Sequence, residues 1–422
     1  MWIYTVLIFM NYPWRKLISL LLAVVVLTGC FRKIHYIKKG DVAQTNFYTS
    51  FPFEFRMGLI VIKAKINGSA TEYEFIFDTG AYMSMVSADL AEELKLRTAG
   101  NSKVSDSQKN SRKTRFATID TMEMGGVKFL NKGALVYPIP ENSYFKCIAK
   151  DGIIGANIIQ DCNWDIDFAN KTITISNTTF TPAGATPVKF KNTLSGKPYA
   201  TFNIAGHKVK NVLIDMGSNG GFDLTKNVVK RRYKTIAKNS FVKQYDGTSQ
   251  GIWGNSYDTA FLTYIDTAYL GKNKAVAIPQ LPLRVKGSTS IKVGLEALIN
   301  HRIYLNYTNS TIYMVQQFAD TTNRVEEGFG FIFNRIEDKV YIGSIYEGSP
   351  AWDAGLKVGD EVTEVNGTLP QDNFGDVCSF VDWMVGVLRS EKELKLTVNN
   401  QEKLITLKRA AYKKQAYPYL GE

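Results

Sequence analysis

The chain has 422 residues and a formal net charge of +12, with 51 Lys and Arg against 39 Asp and Glu. The positive charge is scattered, its densest run Lys230-Arg231-Arg232 reads as a solvated face, and no nucleic-acid-binding signature accompanies it, so nucleic acid is not an expected partner. Four cysteines without Cys-x-x-Cys spacing, three isolated histidines (His35, His207, His301), and the lack of a His-Glu-x-x-His or Gly-x-Ser-x-Gly motif argue against a zinc site and against metallo- or serine-hydrolase chemistry.

At the N-terminus Arg15 and Lys16 precede an apolar run, Leu17 to Leu27, interrupted only by Ser19 and ending in Leu27-Thr28-Gly29-Cys30. These are the dimensions of a secretory signal, and the run is too short to span a bilayer. The segment before it, Trp2 to Met10, is also apolar and fits a start at Met10. Leu27 to Cys30 resembles a bacterial lipobox, which implies removal of residues 1–29, lipidation of Cys30, and an exported protein anchored in a lipid bilayer at the periplasmic face or cell surface. Losing Arg15 and Lys16 lowers the formal charge to about +10 (12 − 2), a basic excess that suits an anionic membrane. Residues 30–49, with Arg32, Lys33, Lys38 and Lys39, read as a tether.

From residue 50 the chain repeats itself. Phe75-Ile76-Phe77-Asp78-Thr79-Gly80-Ala81 returns as Val212-Leu213-Ile214-Asp215-Met216-Gly217-Ser218. Ile153-Ile154-Gly155 follows Asp78 by 77 residues (155 − 78), and Lys292-Val293-Gly294 follows Asp215 by 79 (294 − 215). Twelve residues beyond each of those glycines comes a hairpin-like segment, Asp167 to Ile173 and Asn306 to Ile312. Upstream, Gly68 and Gly206 each sit between two apolar, strand-like runs.

The pattern resembles the aspartic peptidases of the pepsin and retropepsin type, over roughly residues 50 to 318. The resemblance implies a mainly β, bilobal β-barrel module built by internal duplication, lobe 1 at 50–185 and lobe 2 at 186–318. It also implies a polypeptide substrate and no metal or organic cofactor. Asp78 and Asp215 would be the catalytic carboxylates, sharing one proton and activating water between them, with turns shaped by Thr79, Gly80, Ala81, Met216, Gly217 and Ser218. Two copies in one chain make dimerisation of the retropepsin kind unnecessary. The sequence departs from the family at Met216, where a Thr or Ser would brace the lobes, and at Lys292, where an apolar residue is expected. These departures favour the alternative of a catalytically degenerate, peptide-binding scaffold.

Members of this family close a hairpin flap over the substrate. Asn101 to Thr118 and Tyr245 to Gly254 both fit that part or an ordinary surface loop. Cys147 and Cys162 bracket Gly152 to Gly155; buried free thiols are the expected reading, with a disulfide between them as the alternative.

After Arg324 the repeat stops. Gly328-Phe329-Gly330-Phe331, Gly348-Ser349-Pro350-Ala351, Ala354-Gly355-Leu356 and Gly359-Asp360 follow in an order that resembles a bacterial PDZ domain. The resemblance implies a small α+β domain at 319–410 in which the Gly328 to Phe331 loop takes a peptide carboxylate and the strand from Phe331 pairs with a C-terminal or internal peptide. A helix over Phe374 to Leu388, apolar at Phe380, Met384 and Leu388, forms the other wall. Residues 411–422 read as a tail.

Overall fold

The computed structural model describes residues 33–105, 111–251, 254–287, 289–318, 327–399 and 404–416. Residues 1–29 and Cys30 lie outside them. No helix among the described residues is long and apolar enough to cross a membrane.

The first described element is a helix, α1 (33–38), and it overturns the reading of residues 30–49 as a tether. Tyr36 and Ile37 are buried, the Tyr36 ring stacks on Phe116 at 4.5 Å, and Lys132 Nζ donates to the Gly40 carbonyl. From Lys33 onward the segment is docked on the first lobe. Two buried apolar residues in under two turns of helix, with Ile34 exposed, are too few to produce a periodicity, and the flanking lysines masked them.

The first lobe continues as β1 (Leu59–Ile66), β2 (Glu72–Asp78), β3 (Ser84–Ser87), the hairpin β4 (Arg97–Ser105) and β5 (Ser111–Met124), β6 (Val127–Tyr137), the one-turn α2 (Phe145–Ile148), β7 (Gly152–Gly155), and the hairpin β8 (Asn163–Asp167) and β9 (Thr172–Ser176). The second repeats the order: β10 (Pro198–Ile204), β11 (His207–Ile214), β12 (Phe222–Thr225), the hairpin β13 (Ser240–Gly251) and β14 (Gly254–Leu270), β15 (Val276–Lys286), β16 (Lys292–Val293), and the hairpin β17 (His301–Asn306) and β18 (Thr311–Gln316). Ala205 and Gly206, both at positive φ, turn β10 directly into β11, with Ile204 paired to His207.

Register is duplicated along with order. β7 runs parallel to β2, with Gly155 opposite Asp78, and antiparallel to β3, which is parallel to β6. β16 is likewise parallel to β11 and antiparallel to β12, which is parallel to β15. Covered on both faces, the central strands β2 and β7 of the first lobe carry continuous apolar runs such as Phe75-Ile76-Phe77, with no alternation. The two terminal hairpins join edge to edge, β8 against β17, and with Tyr48–Pro52 on β9 and Val188–Lys189 on β18 they form a six-stranded base shared by both copies. One hydrophobic core therefore runs through both lobes.

The C-terminal domain has its own core and consists of β19 (Phe331–Ile336), β20 (Lys339–Tyr346), β21 (Glu361–Val365), α3 (Val377–Ser390), β22 (Glu393–Val398) and β23 (Leu404–Lys408). The helix starts three residues later than expected, because Asp376 caps it by accepting from the Ser379 N–H at 2.8 Å in a capping box. Phe374 packs instead on Phe380, with ring centroids 5.1 Å apart.

Two further expectations fail. Cys147 pairs with Cys378 of α3, while Cys162 is a buried free thiol. Residues 411–416 are not a tail: Ala410–Ala411 pairs with Glu327–Gly328, and Gln415–Ala416 pairs with β13. Because β20 also pairs with β13, through Gln244↔Tyr346 and Tyr245↔Ile345, the C-terminal sheet is continuous with the second lobe.

Candidate active site

Each aspartate ends an apolar strand and is followed by a tight turn. The two turns interlock so closely that a Cβ on Gly80 would collide with the Asp215 carboxylate and a Cβ on Gly217 with that of Asp78. Only glycine permits this approach. Gly155 and Gly294 behind the turns are constrained in the same way, by the backbones of Met83 and of Ser218 and Gly220. Asp215 is buried, whereas Asp78 keeps some exposure toward the cleft.

The bracing comes from one side. The Thr79 hydroxyl, fully buried, donates to the Ile214 carbonyl at 2.6 Å and accepts from the Met216 N–H at 3.0 Å. Met216, also fully buried, supplies packing and no hydroxyl in return.

The carboxylates are held differently. Asp78 Oδ1 accepts from the backbone N–H groups of Gly80 (2.7 Å) and Ala81 (3.0 Å). Asp215 accepts no backbone N–H of its turn; Lys292 Nζ donates to its Oδ2 at 2.9 Å. Burial, and then the charge of Asp215, push the Asp78 carboxyl up to about 7 against the pull of its two N–H donors and of Lys292. Burial works against the Lys292 ammonium, but Asp215 and Asp223 more than offset it, leaving Lys292 raised above its ordinary value. Lys292 in turn adjoins Asp223 across β16 and β12, and Asp223, nearly fully buried, takes a two-pronged ion pair from Arg284 at 2.9 and 3.1 Å.

The structure thus brings Asp78, Thr79, Gly80, Ala81, Asp215, Met216, Gly217 and Ser218 together where the two lobes meet. Sequence reasoning missed Asp223 and Arg284 and took Lys292 for decay. The available signal was a charged residue in an otherwise apolar strand, which burial obliges to have a partner. Both flap candidates lie in hairpins, β4–β5 and β13–β14, with residues 106–110 and 252–253 outside the described residues.

Gly328, Phe329, Gly330 and Phe331 lie elsewhere, at the start of β19. Phe329 and Phe331 are core residues, and Gly330, at φ +83°, sits so close to Ser349 that a Cβ would collide with it. Phe380 is fully buried, and Met384 and Leu388 pack on the core. The helix residue that reaches β19 is Trp383, its ring 5.2 Å from Phe333 and 5.6 Å from Phe374. It was not among the expected groove residues.

A bilobal, mainly β module with paired aspartate turns, followed by a small domain with a glycine loop, is similar to the architecture of a retropepsin-like protease joined to a PDZ domain. Residues 62–158 match the family model described as aspartyl protease, and residues 341–383 match the one described as PDZ domain. The first match contains Asp78 and Gly155 and stops before Asp215, so the second copy rests on the internal repeat and its register. No curated protein matches the chain.

Proposed function

We propose that the protein is an aspartic-type endopeptidase in which Asp78 and Asp215 activate a water molecule between them for attack on a peptide carbonyl. The observation that carries this reading is the interlocked approach of the two turns at Gly80 and Gly217. Asp78, raised to about 7, keeps its proton at mildly acid pH and serves as the acid, and no covalent intermediate is needed. The PDZ loop at Gly328 to Phe331 receives a peptide terminus or internal strand. Residues 1–29 direct export, and lipidated Cys30 anchors the chain to a membrane. Incubation with a mixed unfolded peptide library at pH 4 to 8 is expected to yield new termini, lost in Asp78→Asn and Asp215→Asn; unchanged cleavage in either variant sinks the assignment.

The ion pair on Asp215 and the missing hydroxyl at Met216 favour one second reading, a scaffold that binds peptides without cutting them. Binding with no new termini at any pH selects it.

A further inference from the structure

In the first lobe, the row of residues in register across β2, β7, β3 and β6 is Ile76, Ile153, Met85 and Leu135. The equivalent row across β11, β16, β12 and β15 is Leu213, Lys292, Asp223 and Arg284. Three of four apolar positions have become charges of alternating sign, and residues directly opposite one another in a sheet share a face. A single stray charge in this buried row would be unpaired and costly. Three that neutralise one another in sequence, ending on an active-site carboxylate, form a connected unit.

We propose that the Arg284–Asp223–Lys292 row is a positioning device that makes the aspartate pair asymmetric: Lys292 holds Asp215 as the carboxylate that takes the proton from water, leaving Asp78 to protonate the substrate carbonyl. The inference rests on the peptidase reading above. In the step so assigned, one water O–H bond breaks, its proton passes to Asp215, and its oxygen bonds to the carbonyl carbon. The carbonyl oxygen takes the proton of Asp78, giving a neutral gem-diol.

The geometry supports this division. Asp78 has the two backbone donors of its turn, while Asp215 has Lys292 in their place. The charged groups around Lys292 are Asp215 on the turn after β11, Asp223 on β12, Arg284 and Lys286 on β15, and Asp78 from the other lobe, while Glu296 after Gly294 faces Arg284. Lys292 contacts Asp215 alone, and Asp223, anchored by Arg284, adds its charge to that of Asp215 in favouring the ammonium.

The test is the pH profile of cleavage by the full chain. Lys292→Met removes the countercharge that favours the singly ionised pair, so activity at pH 5 is expected to fall at least tenfold and the acid limb to move up by about 1–3 units. Lys292→Arg keeps that limb in its wild-type position. Activity lowered evenly at all pH values, with both limbs unmoved, overturns the proposal. Carbon-13 carboxyl titration of the wild type needs no cleavage, and Asp78→Asn serves only to assign the signal. One carboxyl of the pair, identified by its loss in Asp78→Asn, is expected to move in a step near pH 7 while its partner stays put; two carboxyls moving together overturn the proposal. If the wild type cleaves nothing yet titrates asymmetrically, the peptidase reading falls and the asymmetric pair stands.

Discussion

Thr79 alone makes the side-chain hydrogen bonds that join the two aspartate turns, through the Ile214 carbonyl and the Met216 N–H. Thr79→Val keeps the shape and strands both backbone groups in a buried site, at a cost of about 1–3 kcal/mol. A lowered Tm and a kcat loss exceeding the change in KM are expected; an unchanged Tm would mean the lobes are held elsewhere. Asp78 gives a pH-dependent companion. Its carboxyl rises on folding from an ordinary 3.8 to about 7. A group raised on folding contributes stability that is complete below the unfolded value and lost as pH climbs through the folded one. Asp78→Asn removes that loss, so the Tm of the variant relative to wild type should climb between pH 5 and pH 8.5, and parallel melting curves would contradict it. The aspartates and their glycines were legible because each belongs to a short segment with fixed turn chemistry. The partner of Lys292 was not, because it depends on a register that aligns Leu213, Lys292, Asp223 and Arg284 from four separate strands.

Elements followed local pattern where one strand or turn decided them, and departed from it where a distant segment did. The repeated hairpins β8–β9 and β17–β18 were readable from matched spacing. α1 was not, since its helical state depends on Tyr36 finding Phe116. The disulfide is the extreme case: Cys147 and Cys378 are 231 residues apart, and nothing near either of them names the other. It joins α2 of the first lobe to the first turn of α3, so the PDZ domain is fastened to lobe 1 by a covalent bond and to lobe 2 by strand pairing. Cys378→Ser is expected to cost about 2–4 kcal/mol, as is typical for a cross-link that restrains a long unfolded loop. Differential scanning calorimetry should then resolve an earlier transition for the C-terminal core. A single transition at the wild-type temperature would show that strand pairing alone carries the junction.

In the molecule as a whole, the strand that docks the PDZ domain is also one arm of the hairpin over the second lobe. β13 is paired to β14 on one side, and on its other side to β20 and to Gln415–Ala416. Tyr245 is central to this junction: its ring stacks on Trp352 at 5.2 Å with only 3° between planes, and its hydroxyl donates to Glu347 at 3.0 Å. The C-terminal domain is thereby tied to the base of the hairpin, whereas β4–β5 has no such attachment among the described residues. Tyr245→Ala removes an aromatic pair and a hydrogen bond, together about 1–3 kcal/mol, and touches neither core. Since about 1.4 kcal/mol is tenfold in an equilibrium, amide exchange across residues 240–270 should quicken by roughly tenfold, with that of 97–124 unchanged. Equal protection of both hairpins before and after the substitution would mean that the PDZ domain merely sits beside the protease module, and that occupancy of its groove has no route to the cleft.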